Sequence, residues 1–400
     1  MNKRFVWLAA FLTLSTGARA GTLPGDDDSY ALTIDQGYNS VTNRSAGHCV
    51  ELGELRTQSG NVLGQSAEFQ LLEISTESAL RESLDITASG SLSFGFFGGG
   101  SARVKYANSV NKNSQSKYLM VHTRVSNQLE LASSFKFTSE ALQLIQRQGA
   151  AKEFVRQCGD EFVFGRRTGG EFYALFEFEM HSDEEGKQFS TAVSASGLGW
   201  KAAGEVNKAL SQFNMFSQTQ VRMLRIGGTG DFPQVSDISE FARTFPTLVE
   251  ATRGGAPVTL SLLTKDYSGV SPVDGMPNEV ALTRQRIVVE RLAKMRDNAM
   301  EELRTLDFVR ENRDIYRSDP GALLGQWELQ LNQYLNRVME ATLACFQDIW
   351  QSCDLPTDVQ MPNLAFPPRK ECESTTSESC EVVGTNGCLV FRTVTKNQCK

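Results

Sequence analysis

Eight cysteines are the residues whose type and number most plainly imply chemistry in this 400-residue sequence: Cys49, Cys158, Cys345, Cys353, Cys372, Cys380, Cys388 and Cys399. An even count fits a disulfide framework in an oxidising compartment. Six crowd the C-terminal end, which leaves Cys49 and Cys158 to pair by elimination and the connectivity of the six open. Zinc is the competing chemistry, but no Cys-x-x-Cys spacing occurs and no histidine lies beyond His181, so no metal is expected. Other reactive types do not gather: His48, His122 and His181 sit in unrelated local patterns, and there is no phosphate loop, nucleophile elbow or paired metal-ligand motif. The acidic run Asp183 to Glu185 and the pair Glu301-Glu302 read as solvated surface, while Asn43-Arg44-Ser45 fits a glycosylation acceptor. The expectation is a protein that is not an enzyme and needs no cofactor.

The start of the chain sets the compartment. Met1 to Ala20 carries Lys3 and Arg4, an apolar run from Phe5 to Leu14 and the small-residue end Ala18-Arg19-Ala20, which predicts a secretory signal peptide cut before Gly21. Its apolar run is too short to span a bilayer, and the mature chain is expected to be secreted in soluble form. Removing Lys3, Arg4 and Arg19 takes the formal charge from −7 to about −10, which excludes nucleic acid as a partner and argues against simple attraction to anionic lipid.

The elements that must position anything functional lie between Leu71 and Val270. A glycine pair, Gly169-Gly170, interrupts strand-like runs at Phe162 to Phe164 and Phe172 to Phe178, where glycine weakens a strand unless a bend or close approach requires it. Leu84 to Phe97 alternates with period two, placing Ile86, Leu92, Phe94 and Phe96 on one face over a length that suits a tilted membrane strand, and a return strand is expected over Ser116 to Val125. Thr138 to Gln157 reads as a helix with Thr138 as N-cap and Leu142, Ile145 and Phe154 on one side. After the turn at Asp183 to Gly186 a second alternating run carries Phe189 and Val193; Trp200 to Phe213 has helical spacing, and Val221 to Ile226, with Met223, returns to strand.

The order around Cys158-Gly159-Asp160-Glu161-Phe162 and Gly169-Gly170 resembles the signature of the membrane attack complex/perforin (MACPF) family, within the MACPF/cholesterol-dependent cytolysin superfamily. Gly159, Phe162, Gly169 and Gly170 fit that signature, whereas Cys158, Asp160 and Glu161 replace its usual aromatic, Thr/Ser and His. The resemblance implies an α+β fold: a bent, twisted antiparallel central sheet flanked by two helical clusters that can unfurl into membrane hairpins. The first hairpin would use Ile86, Leu92, Phe94 and Phe96, and the second Phe189, Val193, Val221 and Met223. It also implies a pore-forming homo-oligomer on a target membrane, bound through lipid or a surface receptor. The alternative is a non-lytic secreted binding or adhesion protein with the same fold.

Beyond Ser271 to Asn278, a linker by composition, the apolar stripes Val288 to Leu306 and Leu324 to Ile349 predict an antiparallel helical hairpin, with Asp319-Pro320 opening its second helix. The tail has few large apolar residues and four cysteines, so it must be stapled; Glu381 to Val383 and Leu389 to Val394 can pair around Asn386-Gly387. The expected divisions are a signal peptide over 1–20, a MACPF-like domain over 21–270, a helical hairpin over 271–352 and a small disulfide-rich β module over 353–400.

Overall fold

The protein is described by a computed structural model covering residues 20–25, 32–58, 66–97, 101–110, 112–114, 116–147, 149–180, 183–196, 220–228, 250, 257–370, 372–384 and 387–399. Met1 to Arg19 of the proposed signal peptide, the run Trp200 to Phe213, His181 and Phe241 to Val249, whose sequence also reads as helical, lie outside these residues.

One strand, β9 (Glu161–Glu179), is the spine. From Phe172 to Phe176 every side chain is buried, as expected of a strand covered on both faces. Antiparallel to it along one edge runs β7 (Ser116–Ala132), from Ser116 opposite Glu179 to Leu131 opposite Gly165. The other edge is shared: β10 (Gln220–Ile226) pairs with 171–177, and β11 (Val258–Asp266) pairs with 161–169. Outside β7 lie β6 (Ser66–Ile74) and β5 (Leu55–Gln58), and β1 (Ala20–Pro24) covers β11. At the start of β9, Gly37 of β2 (Gln36–Asn39) faces Phe162, and β2 pairs with β3 (Arg44–His48). A separate pair joins β4 (Val50–Leu52) to β8 (Phe135–Phe137).

Period two gives the end of the sheet near Glu179, here called its lower end, two different faces. On one, Tyr118, Met120, Tyr173 and Leu175 pack with Leu80, Leu84, Tyr106 and Val110 from the segment between β6 and β7. That segment is helical: α1 (Glu77–Ser83), α2 (Ala88–Phe97) and α3 (Ala102–Ser109). On the other face, Leu119, Val121, Phe172 and Phe176 pack with Phe189 from α6 (Asp183–Ser196). The sheet is thus sandwiched between two helical segments. The alternating runs of both segments are helices in this state, as the two expected helical clusters require, although their period-two pattern taken alone suits strand. Burial explains it for α2: Ser89, Ser91 and Ser93, the intended polar face, are buried together with Leu92, so tertiary packing overrides the alternation. The acidic residues from Asp183 open α6 rather than forming a turn.

The helix expected from Thr138 is two: α4 (Ser139–Ile145), capped by the Thr138 hydroxyl, and α5 (Ala151–Cys158). Gly149, with φ of 72°, separates them, and Ala141 and Leu144 face the core while Leu142 is exposed. Long helices α7 (Glu279–Glu311) and α8 (Gly321–Gln347) form the hairpin, sharing a core of Leu292, Ala299, Leu306, Leu331 and Val338. Pro320 is the N-cap of α8, one position earlier than expected. The tail is a two-stranded sheet, β12 (Cys372–Gly384) with β13 (Gly387–Cys399). Among the described residues, no helix is long and apolar enough to cross a membrane.

Candidate functional site

The signature residues sit where three elements meet. Gly159 ends α5 with φ of 77°, and a Cβ there would lie 2.2 Å from the Tyr38 carbonyl oxygen, so only glycine fits. Cys158 is bonded to Cys49, and its carbonyl accepts from the Tyr267 hydroxyl at 2.6 Å. Phe162 is fully buried among Phe135, Phe154 and Tyr267. Asp160 accepts from the Ser40 backbone N–H at 2.7 Å, and Arg286 of α7 reaches both Asp160 (3.4 Å) and Glu161 (2.8 Å). Two of the departures from the signature, Asp160 and Glu161, are therefore polar anchors for α7, and the third, Cys158, is held in the disulfide. Burial holds the Asp160 carboxyl above its ordinary range, and burial with the adjacent Asp160 charge brings Glu161 up to about 7.

Eight residues along β9 the register breaks on both sides at one level. Ser126 pairs with Gly169 but Leu129 with Arg167, so Asn127 and Gln128 bulge opposite Thr168; on the far edge Leu260 is extra between Thr259 and Ser261. β10 stops opposite Glu171 and β11 starts opposite Gly169, with Gly227 at φ of 73° on the exit. Paired bulges bend and twist the strands that carry them. A Cβ on Gly169 would fall 2.0 Å from the Val125 carbonyl oxygen and 2.8 Å from Leu260 Cδ1, so neighbouring backbone closes on this glycine from across the ladder.

Directly after the pair stands a fully buried carboxylate, Glu171, which the sequence reasoning passed over. Arg103 of α3, itself fully buried, and Arg124 of β7 both donate to it, and Tyr173 Oη donates at 3.1 Å. His122 Nε2 lies 3.5 Å away, with its ring stacked 4.2 Å from that of Tyr173. Asp85, in the turn between α1 and α2, pairs with Arg124. Burial alone would raise the Glu171 carboxyl; the His122 contact and the Arg103 and Arg124 charges outweigh it and bring it down to about 2. The available signal was a glutamate in a strand buried on both faces, a position that is costly unless paired.

The membrane-hairpin candidates divide by element. Leu92 is buried and Ile86 half-buried in the first cluster; Phe94 and Phe96 belong to α2, with side chains outside the described residues. Phe189 is fully buried in α6 with Val193 half-buried beside it, whereas Val221 and Met223, which pack on the same core, stand in β10 and already belong to the sheet rather than to the connection that precedes it. Of the cysteines, Cys345 joins Cys353, and Cys372 stands opposite Cys399 in the ladder, while Cys380 and Cys388 face Phe391 and Val383. Asn43 is buried at φ of 56° and accepts from the Tyr38 hydroxyl at 2.8 Å, so the glycosylation reading is corrected: the folded protein hides its acceptor nitrogen's side chain.

An antiparallel ladder broken at a glycine, with a helical segment seated on each face below the break, defines a MACPF-like fold. No family model and no curated protein matches the chain. Among solved structures it is similar to stonustoxin (10% identity, TM-score 0.47, over 83% of this chain and 43% of that one). It is also similar to GNIP1Aa from Chromobacterium piscinae (13% identity, TM-score 0.37, 73% and 57%). A third is a cell-invasion protein with a MAC/Perforin domain from Bacteroides thetaiotaomicron (11% identity, TM-score 0.25, 93% and 67%). The chain spans about half the length of the first two.

Proposed function

We propose that this is an exported, non-enzymatic pore-forming protein that oligomerises on a target membrane and there inserts two hairpins per protomer, built from residues 75–115 and 180–219. The observation that carries this is the ladder at the lower end of the sheet. Strands β6, β7, β9 and β10 are already neighbours there, with Tyr118 opposite both Ile74 and Glu177, and Gln220 opposite Glu177 in turn. Antiparallel neighbours need only two to five residues to connect, yet each connection here runs to about 40. Each is long enough for two strands of about 10 residues, the bilayer requirement, plus a turn. Extending the four strands past their present ends keeps the register they already have.

Insertion by one copy would leave sheet edges unpaired in lipid at several kcal/mol per group, so closure into a ring is required. The target is a lipid or surface receptor bound by shape and specific contacts, because a chain of formal charge −7 is not drawn to anionic lipid. A second reading, a binding or adhesion protein whose clusters stay folded, draws on the buried Arg103–Glu171 pair, which holds the first cluster to the sheet. Dye release from vesicles and from candidate target cells, with ring imaging, separates them. Rings and leakage are expected; attachment without either would leave only the binding reading.

A further inference from the structure

Helix α7 touches α1, α2 and the residues that follow α3, largely through buried polar groups. From α1, the Glu77 backbone N–H donates to Glu301 Oε2 at 2.8 Å, the Glu77 carboxylate accepts from Arg304 at 2.6 Å, and Arg81 meets Asp297 at 3.2 Å. From α2, Ser91 accepts from Arg296 through both its carbonyl (3.0 Å) and its hydroxyl (2.6 Å). After α3, Lys112 donates to Glu301 Oε1 at 3.0 Å, and the Ser114 and Thr305 hydroxyl oxygens are 3.3 Å apart. Glu77 and Thr305 are wholly buried, and Arg81, Lys112 and Asp297 nearly so. At its other end α7 is anchored to the sheet by Arg286 on Glu161.

The chemistry of this contact differs from a core. Opening an apolar interface exposes surface that water disfavours, whereas opening an ionic one returns each charge to water and recovers its hydration. Buried ion networks add little net stability compared with apolar packing, yet they fix one arrangement and are costly to break one partner at a time. Such a contact holds a segment closed and lets most of it leave without an apolar penalty; the exception is α2, whose Leu92 and Ala88 pack in the apolar core of α7 and α8. The described part of α6, by contrast, is seated on the opposite face by Phe189 against Phe178, with Ser190 donating to Glu73 at 2.7 Å.

We propose that α7 is a strap over the first cluster, with Glu77, Arg81, Lys112, Asp297, Glu301 and Arg304 as its clasp, so that the α7–α8 hairpin must lift before residues 75–115 can leave the sheet. Its functional meaning rests on the pore-forming reading, but its test reads the soluble full-length protein. In the double variant Glu77→Gln, Arg304→Gln the pair loses both charges, and position 77 keeps its shape. Hydrogen exchange followed by mass spectrometry should then show amides in 77–109 exchanging about tenfold faster than in the parent, with β7 and β9 unchanged. Unchanged exchange in 77–109, or an equal rise across β7 and β9, would overturn the strap. Should that variant not fold, Ser114→Cys with Thr305→Cys gives a second arm: oxidised, it should slow exchange across α3 by about tenfold relative to its reduced form, and no difference would overturn the proposal. Absence of leakage from wild-type protein would remove the pore reading and leave these exchange results standing.

Discussion

At the scale of single residues, the carboxylates of the signature region show opposite pH behaviour: burial raises Asp160 and Glu161, whereas Glu171 is lowered. Glu161 rises from an ordinary 4.5 to about 7, so it binds its proton more tightly folded than unfolded. Its contribution is fully present below about 4.5 and is lost as pH rises through about 7. Glu171 falls to about 2, so its contribution is present above 4.5 and is lost as pH falls towards 2. Thermal midpoints should therefore decline from pH 5 to 8 with a slope that Glu161→Gln reduces, and decline again below pH 4.5 with a slope that Glu161→Gln leaves in place. A flat profile between pH 5 and 8 in the parent would refute the first assignment. Gly169 makes a steric prediction. With a carbonyl oxygen 2.0 Å from where its Cβ would sit, Gly169→Val must push β7 away and should cost at least the 1–3 kcal/mol, roughly, of an overpacked core. A melt matching wild type would mean that the neighbouring backbone gives way freely.

At the scale of elements, the same residues explain what could and could not be read from the sequence. Strand β9, its partner β7 and strand β10 were legible because Phe172 to Phe178, Ser116 to Val125 and Val221 to Ile226 have one reading each. The helical hairpin was legible because two stripes of six or seven apolar residues at helical spacing have no competing interpretation. The clusters were ambiguous for a geometric reason. Phe189 and Val193, like Leu92 and Phe96, are four apart, and a spacing of four puts side chains on one face of a strand and on one face of a helix alike. Under the pore-forming reading such a segment is helix in one state and strand in another and has to satisfy both periods, so the pattern alone names neither. The ionic contacts were invisible because Glu171, Arg103, Arg286 and Glu77 are brought together only by tertiary structure. Pairing Cys49 with Cys158 was recoverable by counting, and it has a measurable role. The bond closes a loop of 109 residues and ties the end of α5 to the sheet margin. Replacing both cysteines with alanine should cost about 2–5 kcal/mol, seen as a lower thermal midpoint, with disorder spreading first through α4 and α5. A midpoint unchanged by the double replacement would show that Phe162, Tyr267 and their neighbours hold this corner unaided.

At the scale of the molecule, the direction of the chain assigns the tail a place. Helix α7 starts at the signature end of the sheet, where Arg286 meets Glu161, and by Thr305 it has reached Ser114, just before β7 begins. The turn into α8 is held by the segment that follows the hairpin: Arg317 N–H donates to the Pro368 carbonyl at 3.0 Å, and Lys370 N–H to that of Ile315 at 2.8 Å. Arg369 in turn donates to the carbonyl of Met180, the residue that leads from β9 towards the second cluster. The ribbon of β12 and β13 is therefore rooted at the end of the sheet from which both clusters depart, the end that faces the membrane under the pore-forming reading. A lone two-stranded ribbon is marginal in water, and a bond between Cys372 and Cys399, opposite each other at its base, would supply the staple it needs. Under the pore-forming reading, this placement makes the ribbon the part of the chain predicted to contact the target. A chain ending at Lys370 keeps α7, α8 and the Cys345–Cys353 bond, so it should be exported and melt within a few degrees of the full-length protein. On target cells it should lose attachment and leakage together. Leakage restored by raising protein concentration about a hundredfold would fit a lost receptor contact, since about 2.7 kcal/mol of binding is then replaced by mass action. Undiminished attachment at low concentration would place target recognition elsewhere on the sheet or helical hairpin, and would leave the ribbon as a cap on the α7–α8 turn.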